Sequence, residues 1–151
     1  MQAFYKIPDY VGVMQDIIGA NSEGFKRADP VGIDADGCLI YATAGTKVLG
    51  FALDDITMVA ANETTPKVKP KYIPAQPGVL MVYTSDQAAV LADDVGEYAD
   101  LVGTTGATKM NLTAGSTGQF LVRVIDPFED ADTDVVVVET AEPQTSGFAQ
   151  S

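Results

Sequence analysis

Short apolar runs recur every eight to fifteen residues along most of this chain, and turns bearing Gly or Asp separate them. No helical pattern of ten residues intervenes, so a βαβ arrangement is excluded. Val31-Gly32-Ile33 meets the turn Asp34-Ala35-Asp36-Gly37, where Asp and Gly tolerate positive φ. Cys38-Leu39-Ile40-Tyr41-Ala42 reads as a strand, and Val48-Leu49-Gly50-Phe51-Ala52-Leu53 as its hairpin partner. Further strands are expected at 56–60, 79–84, 98–102, 109–112 and 119–125. Residues 88–92 are ambiguous between strand and helical turn. Val135-Val136-Val137-Val138 reads as a strand buried on both faces. The pattern predicts an all-β fold, a small β-barrel or β-sandwich. Its expected core includes Leu39, Ile40, Leu49, Phe51, Leu80, Val82, Phe120, Val122, Val124 and Val136.

Two segments depart from this rhythm. Residues 1–24 are rich in apolar side chains but keep neither a two-residue nor a 3.6-residue period. They read as an extended N-terminal arm or a strand pair, with a short helix possible at 13–18. Residues 62–78 carry Pro66, Pro70, Pro74 and Pro77, which predicts a stiff, extended surface loop. The expected organisation is an arm over 1–24, a β domain over 25–142 and a mobile tail over 143–151.

A single domain of 151 residues buries enough surface to fold without a metal or disulfide staple. Twenty-one acids against nine bases give a net charge of −12. Such a surface repels phosphate backbones, so nucleic acid is not an expected partner. Lys67, Lys69 and Lys71 are the densest basic stretch, and prolines break it. No run of ~18 apolar residues suggests a membrane helix, and the N-terminus has no secretory pattern, so synthesis in the cytoplasm is expected.

Histidine is absent, which removes the commonest general base and metal ligand. Cys38, the one cysteine, has no His to activate it and reads as a small buried residue. Asp130-Ala131-Asp132-Thr133-Asp134 opens like a calcium loop, but Val135 stands where that loop needs Gly and Ala141 where it needs Glu. Gly103-Thr104-Thr105-Gly106 and Gly115-Ser116-Thr117-Gly118 lack the lysine and following helix of a phosphate loop and read as turns. No catalytic set, metal site or cofactor is expected.

Asp36-Gly37-Cys38-Leu39-Ile40-Tyr41-Ala42, then Ala44-Gly45, then Val48-Leu49-Gly50-Phe51-Ala52, resembles the opening hairpin of the capsid decoration, or cement, proteins of tailed bacteriophages. Thr117-Gly118-Gln119-Phe120-Leu121-Val122, ending at Asp126-Pro127, is similar to their closing strands. The resemblance runs over about 90 residues, from 31 to 127. It implies a β-barrel or β-sandwich that binds the major capsid protein on the outside of an assembled virion and strengthens it, as a dimer or trimer. The longer N-terminal segment and the proline-rich loop depart from that pattern. They supply the expected capsid or subunit contacts: Phe4, Tyr5, Ile7, Tyr10, Val13, Pro66, Lys69, Pro70, Tyr72 and Pro74. Two alternatives are a carbohydrate-binding or adhesive β-sandwich, and an enzyme that works with carboxylates alone.

Overall fold

The computed structural model describes residues 1–87, 92–112, 118–125, 127 and 134–141. Residues 88–91, most of the acidic loop at 129–134 and the tail from 142 onward lie outside them.

Twelve strands make up the described fold: β1 (Gln2–Lys6), β2 (Gly24–Phe25), β3 (Pro30–Ile33), β4 (Leu39–Tyr41), β5 (Gly50–Ala52), β6 (Ile56–Thr57), β7 (Tyr72–Pro74), β8 (Leu80–Ser85), β9 (Tyr98–Thr104), β10 (Ala107–Asn111), β11 (Phe120–Ile125) and β12 (Val135–Thr140). A single 3-10 turn, Ala92–Asp94, precedes β9. The fold is all-β, as the strand-and-turn rhythm predicts.

Five strands close a barrel in the order β8-β10-β9-β11-β12, with β12 pairing back to β8. Closure removes the open edges of the sheet. Every pairing round the ring is antiparallel except β8–β10, and that one joins only Lys109 to Thr84 and Met110 to Ser85. The remainder of that side of β8 is taken by β1, which pairs Gln2 to Tyr83 and Phe4 to Met81. The first strand thus enters the barrel where β8 and β10 part.

Met81, Tyr83, Leu101, Met110, Phe120, Val122, Val136 and Val138 fill the main core. Alternation along β12 sends Val135 and Val137 to the other face, where they meet Val82 and Leu80 in a separate cluster. All four valines of that run are buried, as expected for a strand covered on both sides. Leu80 and Val82 therefore serve this outer cluster rather than the barrel interior. Val124 is exposed, contrary to expectation. A bulge between Val122 and Val124 changes the phase of β11, so Ile125 packs towards the core instead.

A second, four-stranded antiparallel sheet runs β4-β3-β5-β7. Phe51 of β5 reaches from it into the main core. It sits between Phe4 and Phe120, with ring centroids 6.5 and 6.2 Å away, and Phe120 meets Tyr83 at 6.4 Å. Such tilted and edge-on pairs are favourable beyond their buried area. Phe25, Val31, Leu39, Ala52, Met58 and Tyr72 form a second core, to which the β2–β6 ribbon contributes Phe25 and partly buried Ile56.

Gly50 shows how closely these strands approach. A Cβ at that position would lie 2.3 Å from the Ile73 carbonyl oxygen of β7.

The segment from Val11 to Gly19 forms no helix. It straps the four-stranded sheet. Met14 bridges Tyr72 on the outer edge of β7, and Gly19 bridges Leu39 on the outer edge of β4. Three strand spacings are ~14 Å, and five extended residues reach ~17 Å. The strap is therefore nearly taut between the two edges, and Ile17 packs on the second core beneath it.

Candidate functional site

The N-terminal segment is where the described surface is most apolar. β1 and the strap fix its backbone, and Phe4 and Ile7 pack half-buried against the main core. The Arg27 guanidinium lies over the Phe4 ring, 5.0 Å from its centroid, and donates to the Leu53 carbonyl at 2.9 Å. Beside and after these inward residues the chain presents Tyr5, Tyr10 and Val13, which are 44%, 71% and 55% exposed, with Met14 next to Val13 at 38%. The Tyr10 hydroxyl donates to the Pro77 carbonyl, so this ring is held in place on the surface. Fixed apolar side chains in water are a feature of contact surfaces, because they lose little conformational freedom on docking.

The proline-rich segment lies alongside. The Gln15 amide donates to the Lys69 carbonyl at 3.0 Å, and Gly19 N donates to the Val68 carbonyl at 3.0 Å. Asn62 is fully buried and organises the loop: its amide donates to the Gly19 and Val68 carbonyls, and its oxygen accepts from Val68 N. The peptide bond from Thr65 to Pro66 is cis. The expectation of one long surface loop needs correcting, since β7 interrupts it. Pro70 and Tyr72 are buried and serve the fold. The Tyr72 hydroxyl donates to Asp16 at 2.8 Å, and burial followed by the Asp16 carboxylate pushes its pKa well up. Pro74 is half-buried at the end of β7, while Pro66 and Lys69 are exposed.

Of the ten residues expected at an interface, the structure thus gathers Tyr5, Tyr10, Val13, Pro66 and Lys69 on the surface and places Phe4, Ile7, Pro70, Tyr72 and Pro74 wholly or partly inside. Met14 and Val68, also exposed, were missed. Met14 sits in a run without a clean period, so the sequence offers no phase from which to place it, whereas Val68 alternates in phase with buried Pro70 and Tyr72, so alternation alone would put it inside.

Cys38 is buried near two carboxylates. Potential ligand atoms of Asp34, Cys38 and Glu63 lie within 4.8 Å of one another. The turn accounts for much of this grouping. Asp34 Oδ1 accepts from Asp36 N and Cys38 N, both at 2.9 Å, which closes the β3–β4 hairpin. Burial pushes the thiol pKa up, and the charges of Glu63, Asp34 and Asp36 push it further. The thiol is held neutral and is a poor nucleophile.

A third feature is a cavity of about 170 Å³ at the parting of β8 and β10, lined by Met1, Gln2, Thr84, Gly106, Ala107, Thr108 and Lys109. The N-terminal ammonium donates to Thr84 Oγ1 at 2.6 Å, and Thr108 N donates to Gln2 Oε1 at 3.2 Å. These contacts seal the seam with the chain's own groups.

No helix among the described residues is long and apolar enough to cross a membrane. No family model, curated protein or solved structure matches the chain.

Proposed function

We propose that this chain is a virion structural protein that binds the outer surface of an assembled phage capsid and stabilises it. One observation carries the reading: Tyr5, Tyr10, Val13 and Met14 stand exposed on a segment whose backbone is pinned at both ends, to β8 of the barrel and to β7 of the second sheet. Aromatic anchors on a rigid base dominate interface energetics. The partner is the major capsid protein, and the chain acts as a homo-oligomer on the particle exterior. A closed barrel beneath the contact surface supplies stiffness. Weak individual contacts suffice, because a lattice of identical sites multiplies binding without new contacts.

The test is co-sedimentation. In a density gradient the chain travels with intact virions and stays in the particle fraction through a wash at physiological salt. Replacing Tyr5, Tyr10 and Val13 together by Ser leaves the circular dichroism spectrum unchanged and moves the chain to the top of the gradient. Parent protein that never enters the particle fraction, yet binds a glycan array, would replace this reading with the carbohydrate-binding one.

A further inference from the structure

Three of the nine bases in this acidic chain fall within five residues, at Lys67, Lys69 and Lys71. All three are exposed, and none forms an ion pair among the described residues. Elsewhere Lys26 pairs with Asp55, Arg123 pairs with Glu139, and Arg27 lies over Phe4. Pro70 and Tyr72 are buried and alternate with Lys69 and Lys71, so those two lysines leave the chain on the same side. Two residues of extended backbone set them ~6.5 Å apart. Asp16, the acid that the strap brings alongside, accepts from the Tyr72 hydroxyl at 2.8 Å.

Hydrogen bonds fix what lies next to these lysines. Lys67 N donates to the Asn62 carbonyl and Leu53 N to the Lys71 carbonyl, both at 3.0 Å. The strap runs alongside. Gly19 N donates to the Val68 carbonyl at 3.0 Å, and the Gln15 amide to the Lys69 carbonyl at 3.0 Å. Met14 and Tyr72 exchange two backbone hydrogen bonds, at 2.9 and 3.0 Å. Exposed Met14 therefore borders the lysine strip directly. Exposed Val13 precedes it, and the Tyr10 hydroxyl ties that ring to Pro77, just past β7. One surface thus carries fixed apolar side chains with a basic margin.

We infer that this surface docks on an acidic patch of the major capsid protein, whose carboxylates pair with Lys69 and Lys71 beside an apolar site that receives Tyr10, Val13 and Met14. The inference rests on the capsid reading and gives the chemistry of the partner's side. At a net charge of −12 the whole molecule repels an acidic body at long range. At physiological salt that repulsion is screened beyond ~8 Å, and the charges in contact decide the outcome. A long polyanion also sets its charge against the acids that surround the strip, and is repelled. A folded protein offers carboxylates at one place and an apolar complement next to them, which the Tyr10–Met14 stretch requires. Backbone hydrogen bonds already hold both halves of the surface, so little ordering is lost on docking.

The experiment returns the full chain to purified virions stripped of it, at ~0.15 M salt, and measures binding by co-sedimentation. Lys69→Gln with Lys71→Gln takes the net charge to −14, and so does the control Lys109→Glu, on β10 of the barrel. The Gln pair weakens binding at least about fivefold, while Lys109→Glu and the pair Lys69→Arg with Lys71→Arg stay within about twofold of the parent. Circular dichroism confirms that each variant is folded. A carbodiimide, which condenses a lysine amine with a carboxylate in contact to an amide, links Lys69 or Lys71 to an Asp or Glu of the capsid protein. A parent that does not bind virions removes the capsid reading and this inference with it. A parent that binds as well as the Gln pair does, or a Lys109→Glu variant as weak as that pair, overturns this inference alone. So do cross-links from these lysines only to a second copy of the chain. Retention of the parent on immobilised heparin at the same salt, lost in the Gln pair, would show polyanion binding and overturn it too.

Discussion

Asp29 shows how much of this molecule hangs on single residues. It is fully buried, and its carboxylate accepts from Gln2 Nε2 at 2.8 Å, Lys26 N at 2.7 Å and Gly106 N at 2.9 Å. Three distant parts of the chain, β1, the turn before β3 and the β9–β10 turn, meet at one side chain. Removing it leaves buried donors unpaired, which costs ~1–3 kcal/mol for each group that water cannot reach. Asp29→Ala is expected to destabilise by about 3 kcal/mol, and the melting temperature to fall by roughly 6–12 °C. Cys38 gives a chemical counterpart. With its thiol held neutral by burial and by Glu63, iodoacetamide at pH 8 is expected to label it at least about tenfold more slowly than an exposed cysteine. Glu63→Gln, which removes one of the charges raising the pKa, should speed labelling in the folded protein. Rapid labelling of the parent would contradict the burial described. The sequence made Cys38 legible, because a lone cysteine inside a strand pattern without histidine has few other roles. It could not show Asp29, whose partners lie up to 77 residues away. Nor could it show that Arg123 is the extra residue of a bulge, which exchanges the roles of Val124 and Ile125.

At the scale of elements, the barrel strands were legible because β-branched and apolar residues alternate along them. Their closure was not, since it depends on β12 returning to β8 across some fifty residues. The N-terminal segment was illegible for a definite reason. It changes partner every few residues, from β8 at Gln2–Lys6 to β7 at Met14 and β4 at Gly19. A periodic pattern requires one partner surface, and this stretch has three. The segment therefore belongs to the fold as well as presenting a surface. Deleting residues 1–7 removes a strand from the edge of β8 and the packing of Phe4 and Ile7. It should cost at least about 3 kcal/mol in urea denaturation. An unchanged unfolding midpoint would show that the segment is a free arm after all. The same duality explains the proline-rich loop. Its outer half offers Pro66, Val68 and Lys69, while its inner half supplies β7 and the buried Tyr72.

For the molecule as a whole, the two sheets are locked by buried tyrosines as well as by phenylalanines. The Tyr83 hydroxyl donates to the Ala28 carbonyl, and the Tyr41 hydroxyl shares a hydrogen bond with Thr108 Oγ1. Burial raises the pKa of Tyr83, Tyr72 and Tyr41 above the ordinary value of 10.0. Below pH 10 these phenols are neutral in both folded and unfolded chains, and their contribution to stability is complete. Above it the unfolded chain ionises first, so stability falls as pH rises towards the folded values, by up to ~1.4 kcal/mol per pH unit for each tyrosine. The denaturation midpoint should decline steeply above pH 10, and Tyr83→Phe should reduce that slope by about one proton's worth. The larger question at this scale is what the rigid double sheet is for. If it strengthens a capsid from outside, the particle itself must melt differently without it. The decisive measurement compares the thermal disruption of purified virions carrying the chain with that of virions stripped of it, and with stripped virions to which the free protein has been returned. Capsid stabilisation predicts that stripping lowers the disruption temperature and that re-addition restores it. Equal disruption temperatures in all three samples, or free protein that does not rebind, would contradict the account.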